Sequence, residues 1–184
     1  MQRFGGVLVT PPPGAFLQAT AEGEAALLRA VALAIGSARH IADLFAGVGT
    51  FALPLAERAE VLAVEGDAAM TAALDKAQRS ATGLKRITVQ TRDLFRRPME
   101  PDELQGLDAV VIDPPRAGAS AQTERLAAAQ VPVIASVSCN PVTFARDART
   151  LTHAGYRLDW VQVIDQFRWS AHVELVARFV RPAA

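Results

Sequence analysis

Short apolar runs alternate with longer amphipathic stretches along most of this chain. The short runs predict buried strands, whereas the longer stretches repeat their apolar residues with helical spacing. The predicted strands are 41–45, 61–65, 87–91, 109–113 and 133–137, and the predicted helices are 21–35, 51–58, 67–78, 122–129 and 142–153. Because strands and helices alternate, the pattern predicts an α/β domain with a parallel sheet.

The C-terminal part of the chain follows a different pattern. Residues 156–164 and 173–180 are both strand-like, and the eight residues between them are too few for a parallel crossover. These two strands should therefore pair antiparallel. Together with the five earlier strands, they predict a mostly parallel seven-stranded sheet that ends in an antiparallel strand pair. Residues 1–20 are predicted to be an extended N-terminal segment.

Composition narrows the class of protein. The 184 residues fit one domain over 1–184, and a hydrophobic content of 51% excludes a disordered chain. No apolar run reaches the length of about 18 residues that a membrane span needs, and no signal peptide is expected. Basic and acidic residues number 19 each, which leaves a nucleic-acid substrate open. The one cysteine, Cys139, excludes an intrachain disulfide and a multi-cysteine metal site, and it favours a reducing, cytoplasmic location.

A glycine-rich loop follows the first predicted strand. Gly47 and Gly49 would let the backbone approach a ligand at the start of a helix, and Glu65 ends the next strand, where a carboxylate can bind ribose hydroxyls. The spacing Gly47-x-Gly49-x-x-Ala52 also fits a dinucleotide-binding loop, so NAD is an alternative ligand. However, the Asp43 carboxylate beside the loop suits the ammonium and sulfonium of S-adenosylmethionine and would repel a pyrophosphate. The loop therefore favours S-adenosylmethionine, and a turn that binds nothing remains a further alternative.

The single cysteine lies at the start of a predicted helix. Asn140 is a good N-cap and Pro141 is favoured at the first helical position, so Cys139 should lie just outside the helix N-terminus. The partial positive charge of that terminus favours a thiolate. The placement therefore predicts a nucleophile, although a lone cysteine is more often a small buried apolar residue.

Two acidic residues are expected at the same sheet edge as this cysteine. Asp113 ends an apolar strand and is followed by Pro114 and Pro115, which stop strand pairing and fix the chain as it leaves the sheet. Glu174 begins the last predicted strand, which should return to the side where Cys139 lies. Ligands bind at the carboxyl edge of open α/β sheets, so both carboxylates are candidate site residues.

Five motifs in one order resemble a known family. They are Phe16-Leu17-Gln18, the segment 43–51, Asp113-Pro114-Pro115-Arg116, Ser138-Cys139-Asn140-Pro141 and His172-Val173-Glu174. So ordered, they resemble the RNA uracil-C5 methyltransferases, which make 5-methyluridine in bacterial 23S rRNA and in tRNA. The resemblance covers roughly residues 14 to 181, and it implies the Rossmann-like class I fold of S-adenosylmethionine-dependent methyltransferases.

The resemblance implies a role for each matched residue. Cys139 would add to C6 of the uracil, and Glu174 would act as the base. The residues expected around S-adenosylmethionine are Gln18, Phe45, Thr50, Glu65, Asp93 and Asp113, besides Asp43 and Gly47 of the glycine loop. The implied partner is RNA, with 23S rRNA favoured over tRNA and no DNA, and Arg116, Arg168 and Trp169 are candidates for stacking on RNA or for phosphate contact.

The chain also departs from the family pattern. Ala46 replaces a cysteine that many members carry, and 167–170 replaces a stretch that usually contains proline. The family's N-terminal RNA-binding domains are not expected within these residues, and a catalytic domain without them should bind RNA poorly. Two alternatives stay open: a silent module that binds S-adenosylmethionine or RNA, and a methyltransferase for another base or an amino group.

Overall fold

The structure is a computed structural model that describes residues 1–167 and 169–182. Its strands are β1 (Gln2–Phe4), β2 (Val7–Val9), β3 (His40–Leu44), β4 (Glu60–Glu65), β5 (Ile87–Thr91), β6 (Ala109–Ile112), β7 (Val133–Ser138), β8 (Arg157–Ile164) and β9 (Glu174–Val180). Its helices are α1 (Ala21–Ile35), α2 (Ala52–Leu55), α3 (Ala68–Ser80), α4 (Ser120–Ala129) and α5 (Pro141–His153).

Seven strands form one sheet in the order β5-β4-β3-β6-β7-β9-β8. Strands β3 to β7 pair in parallel, and β9 runs antiparallel to both β7 and β8. The predicted α/β fold with a mostly parallel sheet and a C-terminal antiparallel pair is therefore confirmed. After β3 the chain builds the sheet toward β5, and from β6 it builds toward β7. This change of direction opens a crevice beyond the carboxyl ends of β3 and β6.

Apolar side chains cover both faces of the sheet because successive strand residues point to opposite sides. Val111 packs on the face covered by α1, with Leu27 and Val31 of that helix. Its neighbour Val110 packs on the other face, together with Leu126 of α4. Helices thus enclose the sheet on both sides, and the carboxyl edge stays free for a ligand.

Two local elements differ from the prediction. The helix predicted over 51–58 is only the single turn Ala52–Leu55, because tighter i to i+3 hydrogen bonds follow it, from Glu57 N–H to Pro54 and from Arg58 N–H to Leu55. In addition, β1 pairs with β2 as a small hairpin that was not predicted. Within the described residues, no helix has the length and apolar character that crossing a membrane requires.

Candidate active site

A cavity of about 480 Å³ opens at the carboxyl edge of the sheet. Nine of the ten residues predicted for the site line it: Gln18, Phe45, Gly47, Thr50, Glu65, Asp93, Asp113, Cys139 and Glu174. The tenth, Asp43, is fully buried and does not line the cavity. The fold therefore gathers at one edge residues that lie up to 156 positions apart in the chain (Gln18 to Glu174).

At the carboxyl end of each parallel strand, one predicted site residue lines the cavity. Phe45 follows β3, Glu65 is the last residue of β4, Asp93 follows β5, Asp113 follows β6 and Cys139 follows β7. Because the five strands are parallel and in register, their carboxyl ends meet along one line. The order of site residues along the cavity thus follows the order of the strands.

Glu174 reaches the same edge from the opposite strand direction. It is the first residue of β9, which is antiparallel to β7, and Ser138 of β7 pairs with Leu175. One step further along this register, Cys139 comes opposite Glu174. The ladder between two neighbouring strands therefore sets the thiol and the carboxylate side by side.

The glycine loop is held by the carboxylate at the end of β4. One Glu65 oxygen accepts a hydrogen bond of 2.9 Å from the Gly47 N–H, and the other accepts one of 2.9 Å from the Asp67 N–H. Gly49 has φ +96°, and a Cβ there would lie 2.5 Å from Leu74 Cδ1, so a side chain is excluded. Because the Gly47 N–H already faces a carboxylate, the loop is a poor site for a pyrophosphate.

Asp43, which was predicted for the donor site, is fully buried and does not line the cavity. Neither carboxylate oxygen has a hydrogen-bonding partner within the described residues. Burial raises the pKa of Asp43 well above its usual range, and the Asp113 and Glu65 carboxylates add to this, while the nearby Ala52 N–H opposes it. An unpartnered buried acid of this kind favours a cation nearby.

Asp113 is the other strongly perturbed acid. Protein atoms surround it closely although part of its surface faces the cavity, and this burial, together with the Glu174 charge, raises its pKa to about 7. A group with such a pKa changes charge near neutral pH, so the charge of the cavity is sensitive to what binds there.

The expected activation of Cys139 by the helix terminus is not found. Burial and the carboxylates of Glu174 and Asp113 raise the pKa of the thiol, and Arg116 only partly offsets them. At the N-terminus of α5, the Val142 N–H already donates a hydrogen bond of 3.0 Å to the Asn140 side chain, so it is not free to stabilise a thiolate. Without a ligand, the thiol is therefore protonated at neutral pH.

Helix α5 clamps the loop that follows Asp113. Asn140 and Thr143 both donate side-chain hydrogen bonds to the carbonyl of Arg116, at 3.0 and 3.2 Å. One turn further, the buried Asp147 carboxylate accepts the Ala119 N–H at 3.0 Å. The nucleophile at the start of α5 and the Asp-Pro-Pro loop are thus fixed to each other.

The candidate RNA contacts lie around the cavity mouth or on the surface. Arg116 lines the cavity and contacts a ring nitrogen of His172 at 2.6 Å. Trp169 is fully exposed, has φ +66° and does not line the cavity. Arg168 lies outside the described residues.

Sequence reasoning missed some of the lining. Phe95 packs its ring at 5.3 Å from the ring of Phe45, which itself has φ +64°. Both rings line the cavity, as does Met70 of α3. Phe95 lies two residues after Asp93, and an aromatic residue so close to a candidate site residue was the sequence signal that could have identified it.

Comparisons with known proteins agree with the resemblance seen in the sequence motifs. A family model described as tRNA (Uracil-5-)-methyltransferase matches residues 10–179. An uncharacterized RNA methyltransferase of Rhizobium meliloti is 59% identical over 174 residues, which are 95% of this chain and 42% of that protein. The 23S rRNA (uracil(1939)-C(5))-methyltransferase RlmD of Chromohalobacter salexigens is 39% identical over 92% of this chain and 35% of its own length.

A solved structure is also similar. The Pyrococcus abyssi tRNA (uracil-54, C5)-methyltransferase, determined with S-adenosyl-L-homocysteine, superposes with a TM-score of 0.78 at 32% identity. The match covers 91% of this chain and 40% of the archaeal one. The chain thus spans less than half the length of the curated relatives it matches.

Proposed function

This chain belongs to the tRNA (uracil-5-)-methyltransferase family, and from that premise we propose that it transfers the methyl group of S-adenosylmethionine to C5 of a uridine in RNA. The observation that carries the proposal is the pairing of the one thiol, Cys139, with Glu174 in a cavity at the switch point of a methyltransferase-like sheet. Residues 1–184 would be its catalytic domain.

The charge of the cavity supports S-adenosylmethionine as the methyl donor. Carboxylates at Glu65, Asp93, Asp113 and Glu174 line it, and Arg116 is the one basic residue among its described lining. Such a site stabilises a sulfonium and an ammonium and repels a pyrophosphate, which supports this donor over NAD.

Different residues of the proposed donor site would bind different parts of S-adenosylmethionine. Glu65 is placed for the ribose, and Phe45 and Phe95 offer apolar faces for the adenine. The carboxylate of Asp93 accepts the Phe95 N–H at 2.9 Å, so it holds this aromatic in place. When bound, the donor supplies an electrophilic methyl group.

The chain's own side chains would perform the remaining steps. C5 of uracil is a weak nucleophile, so Cys139, once its thiol has lost its proton to solvent, adds as a thiolate to C6, and the electron pair of the C5–C6 double bond makes C5 nucleophilic. C5 then takes the methyl group while the bond from that group to the sulfonium sulfur of the donor breaks, which leaves the sulfur as a neutral thioether. Glu174 next removes the C5 proton. The electron pair of that C–H bond restores the double bond, the C6–sulfur bond breaks, and the thiolate leaves.

The proposed substrate is RNA, with 23S rRNA favoured. A 23S rRNA enzyme that is 39% identical over 92% of this chain supports this preference. The target base has to leave its stack to reach the thiol, at a cost of about a few kcal/mol. The proposed RNA contacts are Arg116, which lines the cavity, Trp169, which is exposed, and Arg168, which is proposed from the sequence alone. With an RNA substrate, the proposed site of action is the cytoplasm.

Product analysis tests the proposal directly. RNA from cells that lack the gene would be incubated with the protein and methyl-labelled S-adenosylmethionine, then digested to nucleosides. We expect label in 5-methyluridine, with separate rRNA and tRNA fractions showing which RNA receives it. Label in another nucleoside would overturn the proposed reaction, and label only in tRNA would overturn the preference for 23S rRNA.

Binding of the methyl donor should depend on pH through Asp113. The pKa of Asp113 is raised to about 7 by burial and by Glu174, and a cationic ligand binds better to the ionised acid. Affinity for S-adenosylmethionine should therefore increase, by roughly fivefold or more between about pH 6 and about pH 7.5, with proton release on binding. Isothermal titration in buffers of different ionisation enthalpy measures both.

A matched pair of variants identifies the group responsible. Asp113→Asn should remove the pH dependence and the proton release, whereas Asp102→Asn, at an exposed position, should leave both unchanged. An affinity that falls as pH rises over this interval would contradict the assignment to Asp113. Binding of NAD in place of S-adenosylmethionine would contradict the donor itself.

A further inference from the structure

The loop that carries Phe95 is held by the side chain of Arg92. Arg92 directly follows β5, and 14% of its side chain is exposed. Its Nε donates a hydrogen bond of 2.7 Å to the Arg97 carbonyl, and its Nη2 donates one of 2.6 Å to the Pro98 carbonyl. Residues 93–99, the Phe95 loop, thus begin directly after a side chain that also holds their end.

Glu103 fixes the orientation of the Arg92 guanidinium. Its carboxylate accepts two hydrogen bonds from that group, of 2.6 Å from Nη1 and 3.0 Å from Nη2. Such a bidentate pair determines the plane of the guanidinium as well as its position. The Sδ of Met99 accepts a further, weaker hydrogen bond of 3.4 Å from Nη1. All five N–H donors of Arg92 therefore have a partner, and an arginine can only donate, so each contact has one assignment.

The Phe95 loop has two further anchors. At its start, the Asp93 carboxylate accepts the Phe95 N–H at 2.9 Å. At its end, the buried Gln122 side chain accepts the Met99 N–H at 2.8 Å and donates to the Met99 carbonyl at 3.3 Å. Phe95 itself is 51% exposed, so packing alone does not determine where its ring lies. The backbone of the loop, and hence its anchors, determines the position of the ring.

We propose that Arg92 is a positioning residue for donor binding: it holds the Phe95 loop in the conformation in which the Phe95 ring contacts the adenine of S-adenosylmethionine. The inference rests on the proposed donor site, in which Phe95 and Phe45 bind the adenine. Arg92 is not among the described residues that line the cavity, so it acts through the loop. A loop that is ordered before the donor arrives loses less conformational entropy on binding, which increases affinity.

Arg92→Met tests this because it keeps an unbranched apolar side chain and removes all five donors. We expect the Kd for S-adenosylmethionine, measured by isothermal titration, to rise by about tenfold or more. The KM for the donor should rise in parallel. Because Cys139 and Glu174 are unchanged, kcat at saturating donor should stay within about twofold. A loss of kcat without a loss of donor affinity would contradict a role in donor binding.

The matched control is Arg86→Met, at the other end of the same strand. Arg86 directly precedes β5 and also pairs with a glutamate, Glu60, at 2.7 Å. This substitution should leave the Kd for S-adenosylmethionine within about twofold of that of the unchanged protein. If both substitutions weaken donor binding equally, the loss does not come from the Phe95 loop and the inference is wrong.

A double-variant cycle tests whether Arg92 acts through Phe95. Phe95→Ala alone should weaken S-adenosylmethionine binding by about tenfold or more, because it removes the ring itself. Once the ring is absent, adding Arg92→Met should change the Kd by less than about threefold. Two full losses that multiply would show that Arg92 affects the donor by another route, and would overturn the inference.

Trypsin measures the order of the loop independently of binding. Arg96 is exposed within the Phe95 loop, and cleavage after it should be faster in Arg92→Met than in the unchanged protein at a temperature where both are folded. If Arg92→Met does not melt cooperatively, Arg92→Lys replaces it throughout: it keeps the charge but has one nitrogen, which cannot span the same acceptors, and the Kd should rise by about fivefold.

An unchanged Kd in the folded variant, or an unchanged cleavage rate, would show that Arg92 does not order the loop for the donor. Failure of the unchanged protein to bind S-adenosylmethionine is a different result. It would overturn the proposed donor, and this inference with it.

Discussion

Replacing Cys139 by alanine is expected to abolish methyl transfer, with a loss of about 10⁴-fold or more. The thiol is the one nucleophile that lines the described cavity beside the proposed base, and no second cysteine in the sequence can substitute for it. The measurement is twofold: 5-methyluridine formation, and a denaturation-resistant adduct with 5-fluorouridine RNA. Both should disappear in the variant.

The adduct rate should also depend on pH in a defined direction. Because burial and the Glu174 and Asp113 carboxylates raise the pKa of Cys139, the thiolate fraction is small at neutral pH and grows as pH rises. Adduct formation should therefore accelerate toward alkaline pH. Affinity for S-adenosylmethionine should change little in Cys139→Ala, which serves as the control for folding. Persistent adduct in this variant would show that another nucleophile acts.

Replacing Glu174 by glutamine should uncouple the two halves of the reaction. Without a base, methylation of C5 still proceeds but the C5 proton remains, so the protein should stay covalently bound to ordinary uridine RNA. Turnover should fall by about 10²- to 10⁴-fold. Denaturing gels that follow labelled RNA measure the trapped species, and product analysis measures turnover.

The control for this prediction is Glu124→Gln, the same change at an exposed position of α4. In the unchanged protein, burial raises the pKa of Glu174 above the usual range of a glutamate. Since the base must be ionised, kcat should decline on the acid side earlier than an exposed glutamate would allow. A Glu174→Gln protein that turns over normally, or that forms no adduct with either RNA, would exclude this residue as the base.

Much of this site could be predicted from the sequence because its residues occupy positions that strand order determines. Asp113 and Cys139 each follow an apolar strand, and parallel strands necessarily bring such positions to one edge. Glu174 could be placed there because a short connection forces its strand to pair antiparallel. Local pattern and topology were sufficient for these three.

Other features depend on contacts that a linear pattern does not contain. Asp43 was expected to touch the ligand, but tertiary packing buries it below the cavity. The thiol of Cys139 was expected to be acidic, but burial, together with the Glu174 and Asp113 carboxylates, raises its pKa. The hydrogen bond from Gln166 Nε2 to Gln18 Oε1 could not be predicted, because the two residues lie 148 positions apart in the chain.

The placement of Cys139 opposite Glu174 on neighbouring strands restricts how far these two residues can move relative to each other. The β7–β9 ladder ends at the pair Ser138 and Leu175, directly beside both residues, so the backbone positions of the proposed nucleophile and the proposed base are fixed relative to each other. In the proposed reaction, the rearrangement that brings the reactants together is therefore made by the RNA. Uridines in strained or unpaired regions, which unstack at little expense, should consequently be modified faster than those inside stable duplexes.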